Sequence, residues 1–259
     1  MRLEDRVAIV TGGGSGIGKA ISLGLAKEGA HVVVAARRAE PLEETAQEIR
    51  AMGRRALAVP TDITETYQVE AMVEKTLQEL GKIDILINNA ALHIPASFLD
   101  ITEDDWFQSM NVMIHGVFRC TKAVTRHMIP RRSGVIVNVL CPHMELGMPW
   151  VHLGTAKSFQ IRWTTGLAGE LSPFGIRVNG VCPGLVPTEG MLAATDPQAF
   201  KELCEVEGML GRTCTAEDVA SAVNFIVSDE ASYMTAQVLY IDGGLTSLAQ
   251  WTRRPPVRV

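Results

Sequence analysis

At 259 residues, with 47% hydrophobic and 20% charged side chains, the chain can bury a large core and falls within the size of one α/β domain. A formal charge of −5 excludes the basic footprint of a nucleic-acid or anionic-membrane binder and leaves a small-molecule substrate as the expectation. The five cysteines form no C-x-x-C pair and no metal-like His/Cys spacing, and no apolar run approaches the roughly 18 residues of a membrane span. With a charged start, Met1-Arg2-Leu3-Glu4-Asp5-Arg6, and no visible targeting signal, the expectation is a cytoplasmic protein without a metal.

In chain order, the apolar run over 6–11 predicts a first strand. Thr11-Gly12-Gly13-Gly14-Ser15-Gly16-Ile17-Gly18 then leads into a helical pattern over 16–28. Glycines there let the backbone turn tightly and approach a pyrophosphate, whose charge the helix N-terminus favours. With strand, turn and helix in register, Gly12, Gly14, Ser15, Gly16, Ile17 and Gly18 are read as a nucleotide site rather than a purely structural turn. The second strand, over 31–36, runs into Arg37-Arg38, where an NAD site would place a carboxylate to hold the ribose 2′-hydroxyl. Guanidinium groups match a phosphate bidentately, so NADP(H) is expected. The competing reading is two solvated arginines at a helix start, paired with Glu40, Glu43 or Glu44.

Further strands are expected near 55–60, 83–88, 134–140, 176–182 and 237–241, with helices near 40–52, 65–80, 103–130, 152–172 and 215–228. The alternation predicts an α/β fold: a Rossmann-like, doubly wound parallel sheet of about seven strands with helices on both faces. No repeat or linker divides residues 1–248, read as one domain. The basic, proline-rich tail 249–259 is expected to fray or to pack on another subunit.

Later motifs extend the pattern: Asp62-Ile63 after the third strand, Asn88-Asn89-Ala90-Ala91 after the fourth, Asn111, Lys157, and Pro183-Gly184 followed by Thr188. Together with the glycine turn, they make the chain resemble the short-chain dehydrogenase/reductase family over nearly its whole length. The resemblance implies that Asp62 and Ile63 contact the adenine, and that Asn89, Ala90 and Ala91 contact the adenosine ribose region. It places Lys157 on the nicotinamide ribose hydroxyls and Pro183, Gly184 and Thr188 at the nicotinamide end. A homotetramer built through the helices near 103–130 and 152–172 is also implied. Family members that interconvert alcohols and ketones carry Ser-Ser and Tyr where this chain has Leu140-Cys141 and Leu153. The three tyrosines, Tyr67, Tyr233 and Tyr240, all lie outside 138–157, so no shift of alignment supplies the phenol.

Two local patterns resemble the 2,4-dienoyl-CoA reductase branch: Val151-His152-Leu153-Gly154-Thr155-Ala156-Lys157, and Pro183-Gly184 with Thr188-Glu189-Gly190-Met191. The chain departs from that branch by one residue fewer between Trp150 and Val151, and by Leu92-His93 after Ala91. Reduction of a conjugated thioester collects negative charge on the thioester oxygen, which needs a preorganised hydrogen-bond donor more than a phenol. Asn111, acting directly or through a water held with Lys157, is the leading choice; its alternative role is to satisfy a helix-kink carbonyl. A second reading is a carbonyl or alcohol oxidoreductase with His143 or His152 as substitute acid, Glu145 being a further candidate in the same stretch. A non-catalytic NADP(H)-binding protein is the third, and a cofactor-bound isomerase or dehydratase remains open. Met144, Met148, Trp150, Met191 and Met209 predict an apolar pocket for an acyl thioester or another lipophilic substrate, with Cys141 a small buried hydrophobe.

Overall fold

Val7–Thr11, the first strand (β1), is buried at every position, as a central parallel strand covered on both faces must be. The computed structural model describes residues 1–142, 150–194, 196, 198, 200 and 210–248. From β1 the chain alternates through α1 (Gly16–Lys27), β2 (His31–Ala36), α2 (Ala39–Ala51), β3 (Ala56–Pro60), α3 (Thr66–Leu80) and β4 (Ile85–Asn88). It continues through α4 (Glu103–Met110), a π-helical segment (Asn111–Gly116), α5 (Val117–Arg131), β5 (Gly134–Val139), α6 (Val151–Leu171) and β6 (Ile176–Pro183). The last described elements are α7 (Glu189–Ala194), α8 (Ala216–Val227), β7 (Val238–Ile241) and α9 (Leu245–Leu248).

The seven strands form one sheet in the order β3-β2-β1-β4-β5-β6-β7, with every pair parallel. Two cores flank it. On one face, Ile21 and Leu25 of α1, Leu42 and Ile49 of α2, and Val219 and Val223 of α8 meet Ala8, Val10 and Val34. On the other, Met72 of α3, Val124 and Met128 of α5, and Ala168 and Leu171 of α6 meet Ile9, Val33 and Leu86. The chain therefore reverses its direction of travel across the sheet between β1 and β4. In such folds the crevice outside the carboxyl ends of those two strands is where ligands sit.

The expected long helix over 103–130 is divided. Its middle turns are π-helical, and two contacts go with that widening. Gly116 lets Ile63 lie so close that a Cβ there would be 2.6 Å from Ile63 Cδ1. The Met113 carbonyl accepts a hydrogen bond from Gln160 Nε2 at 2.6 Å, which ties this segment to α6. The tail 249–259 lies outside the described residues.

At the opposite, amino end of the sheet, Asp84 precedes β4 and is 2% exposed. Its carboxylate accepts from the Val7 amide at 2.9 Å and from Arg131 Nη2, and pairs with Lys82 at 3.1 Å. Burial alone would raise its pKa, but these donors outweigh it and hold the carboxyl below the usual carboxylate range. A depressed folded-state pKa means that the contribution is present at neutral pH and is lost as pH falls through that lowered value. Asp84→Ala leaves two cations and an amide without their acceptor; the expected cost is about 3 kcal/mol, read as a lower urea midpoint at pH 7 that converges on wild type in strong acid.

Candidate active site

The glycine turn between β1 and α1 is shaped by close approach. Gly12 has φ +67°, and a Cβ on it would be 2.8 Å from Asn89 Nδ2; a Cβ on Gly18 would overlap the Gly12 carbonyl oxygen. Asn89, just past β4, donates through Nδ2 to the Thr11 carbonyl at 3.0 Å and to that of Gly12 at 3.3 Å. Thr11 Oγ1 accepts from the backbone amides of Asn89 at 3.0 Å and Ala90 at 3.1 Å. The ends of the two strands at the reversal point are thus stitched together. Ser15 is the N-cap residue of α1 but makes no side-chain cap bond, and no acidic residue stands in the first turn. The positive end of the helix is therefore left to an anionic ligand.

A groove of about 550 Å³ runs from this turn. Gly12, Ser15, Gly16, Ile17, Gly18, Arg37, Arg38, Asp62, Ile63, Asn89, Ala90, Ala91 and Thr188 all line it. Gly14 does not: it faces α2, where a Cβ would meet Leu42 and Pro41 at 3.2 Å. Arg37 and Arg38 are exposed, and no ion pair among the described residues engages either. Glu43, one expected rival partner, pairs instead with Arg50 at 2.7 Å. Asp62 also fixes the loop into α3 by accepting from Thr64 N at 2.9 Å and Thr64 Oγ1 at 2.7 Å.

The groove adjoins a second space of about 110 Å³, lined by Lys157, Leu153, Leu140, Cys141, Pro183, Gly184 and Met191 among others. Ile17, Asn89, Ala91, His93 and Thr188 line both. Lys157 is 4% exposed; its Nζ donates to the Val139 carbonyl at 2.6 Å and to Gln160 Oε1 at 3.2 Å. Burial lowers its pKa, partly offset by Cys141 and Cys182. Gln160 passes the connection to the π-helical segment through its bond to Met113. Behind it, Asn88, Asn138 and Thr164 form a buried chain: Asn88 Nδ2 to Asn138 Oδ1 at 2.9 Å, then Asn138 Nδ2 to Thr164 Oγ1 at 2.8 Å.

The expected catalytic residues separate here. Lys157 is in the cavity wall, but Asn111 and His152 are not among the lining residues. Asn111 Oδ1 accepts from Arg119 Nη1 at 2.9 Å, a contact to α5 that uses the amide oxygen and leaves the Nδ2 donor uncommitted by it. His152 is fully buried on the first turn of α6; burial lowers its pKa against the pull of Asp105 and the Ile94 backbone. His143, Met144, Glu145, Met148 and Met209 lie outside the described residues. His93, which spacing did not single out, lines both spaces. Its only sequence signal is a bulky titratable side chain where a small residue is expected. Leu153, 1% exposed, turns an apolar side chain to the cavity four residues before Lys157, and Cys141 lines it beside Lys157 instead of being wholly buried.

The family model described as Enoyl-(Acyl carrier protein) reductase matches residues 12–246. The chain is 37% identical over 246 residues to a 3-oxoacyl-[acyl-carrier-protein] reductase of Thermotoga maritima, covering 95% of this chain and 99% of that one. It is 36% identical over 251 residues to a (2S)-[(R)-hydroxy(phenyl)methyl]succinyl-CoA dehydrogenase subunit of Thauera aromatica, covering 96% of this chain and 100% of the relative. Among solved structures, a putative short-chain alcohol dehydrogenase from Sinorhizobium meliloti superposes with a TM-score of 0.90 at 32% identity, over 95% of this chain and 98% of the other.

The close packing at the turn makes one side-chain test sharp. Gly18→Ala forces a methyl group into the Gly12 carbonyl, where backbone cannot yield as a flexible side chain would. Dinucleotide binding, followed by calorimetry, is expected to weaken at least tenfold, while far-UV circular dichroism keeps the wild-type shape.

Proposed function

The chain belongs to the short-chain dehydrogenase/reductase family, and on that footing we propose that this oxidoreductase interconverts a ketone and a secondary alcohol on an apolar acyl substrate, using NADP(H). The carrying observation is adjacency: five residues line both the nucleotide groove and the space beside Lys157, which puts the two spaces side by side. The groove volume, the glycine cradle and the uncapped α1 terminus fit a nicotinamide dinucleotide. The nicotinamide, when bound, supplies or accepts the hydride. The residues of the chain then have three tasks. Lys157 presents a buried cation to polar oxygen atoms at the cavity wall. Leu153, Leu185, Val186 and Met191 supply apolar lining for the substrate. Arg37 and Arg38, exposed and without ion-pair partners among the described residues, present two guanidinium groups where a 2′-phosphate would be recognised.

The dienoyl-thioester reading gives way on two counts. The donor it relied on, Asn111, does not line the cavity. The relatives are named for an oxo group in one case and a hydroxyl group in the other, both on acyl thioester carriers. The family model's own description retains enoyl reduction as the competing outcome. For the assembly, we favour an oligomer through α5 and α6, supported by exposed Phe118 set edge-on to Trp163 at 6.1 Å.

Two measurements separate these readings. With 3-oxoacyl and 2,4-dienoyl thioesters offered separately, oxidation of NADPH is expected with the first; activity with the dienoyl thioester alone would overturn the proposal. Replacing both arginines, Arg37→Ala with Arg38→Ala, is expected to raise the NADPH Kd about 10- to 100-fold with little change for NADH, the loss of charge-assisted bonds to a phosphate. Equal losses for both cofactors would count against NADP(H).

A further inference from the structure

Resting on the alcohol–ketone reading above, we propose that His93 is the catalytic acid and base, taking the proton from the substrate hydroxyl during oxidation and returning it during reduction. The phenol expected four residues before Lys157 is replaced by Leu153, whose side chain has no proton to exchange. Some other group must handle that proton, and it must stand where the nucleotide groove meets the cavity. His93 does so: it follows β4 on the loop 89–99 and lines both spaces, facing the same volume as Lys157, Cys141 and Thr188. Of the other histidines considered from the sequence, His152 is buried outside both linings, and His143 lies outside the described residues.

The electrical setting favours the base. His93 is exposed on the groove by its surface area, but the atoms crowded around its imidazole, with the Lys157 ammonium and His152, hold its pKa below the ordinary value, so it is neutral at pH 7 with a lone pair to accept a proton. The charged and titratable groups that share its linings or act on it are Lys157 and His152 on α6, Cys141 just past β5, and Arg37, Arg38, Asp62 and Glu189 along the groove. In oxidation the hydroxyl O–H bond breaks and its proton moves to a ring nitrogen of His93, while that electron pair becomes the carbonyl π bond. The carbinol C–H bond breaks with its pair, which leaves as hydride to the oxidised nicotinamide; the alcohol is oxidised and the nicotinamide reduced. The imidazolium then returns its proton to water. Reduction retraces these steps, with His93 entering protonated.

The sign of the pH dependence follows. Oxidation requires neutral His93, so its rate is full above the lowered pKa and falls as pH drops through it. His93→Gln keeps a polar side chain of similar reach but cannot exchange a proton. It is expected to lower kcat for alcohol oxidation about a hundredfold or more, to leave KM nearly unchanged, and to erase the acid limb of the profile. A readout independent of turnover is the imidazole NMR titration. The signal lost in His93→Gln should titrate below 6.5 in the wild-type protein and move upward in Lys157→Met, which removes the neighbouring cation. Unchanged kcat and pH profile in His93→Gln, or a His93 titration indifferent to Lys157→Met, overturns the assignment while leaving alcohol–ketone chemistry standing. A wild-type protein that oxidises no secondary alcohol and reduces no ketone overturns the functional reading, and this inference with it.

Discussion

The site depends on keeping an ammonium group out of water. Lys157 is buried, and the two acceptors within reach of its Nζ, the Val139 carbonyl and Gln160 Oε1, carry no formal charge. A buried cation held only by dipoles is costly, and burial moves its pKa accordingly. The surrounding structure meets that cost with position rather than opposite charge. Gln160 is fixed by Met113 in the π-helical segment, and Thr164 by Asn138 from the sheet, so the chain of bonds reaches β5 and the Asn88 end of β4. The cation then faces the cavity, where an electron-rich substrate oxygen would be its natural counterpart.

The same arrangement explains why the π turn matters. The Met113 carbonyl that orients Gln160 sits within the widened turn 111–116, so the position of that acceptor is set by the π-helical path. Gly116 admits Ile63 at the other end of that turn, which couples the groove wall to the helix whose widening supports Lys157. Cofactor groove and reaction cavity are therefore packed as one unit.

Much of this was readable from residue order. The strands expected at 31–36 and 134–140 are β2, His31–Ala36, and β5, Gly134–Val139, because an apolar run buried on both faces has few alternatives. The glycine turn was legible for a similar reason: Gly12 and Gly18 stand where a Cβ meets Asn89 or backbone. Gly14, grouped with them by spacing, packs against α2, because spacing identifies a glycine but not which neighbour crowds it. The contact made by Asn111 and the places taken by His93 and Gln160 were beyond reach for another reason. Asn111 meets Arg119 eight positions on, across the widened turn, and Gln160 acts through a carbonyl 47 residues away. His93 acquires its place only when the loop after β4 folds over the groove. These are tertiary contacts without a periodicity to announce them.

Where the hydride goes is the most direct test of the account. The protein should be given NADPH carrying deuterium at the transferable C4 position together with a mixture of 3-oxoacyl and 2,4-dienoyl thioesters, and the products examined by deuterium NMR. The account predicts deuterium on the carbinol carbon of a 3-hydroxyacyl thioester. Deuterium on a chain carbon remote from the thioester, or no transfer to either substrate, would contradict it.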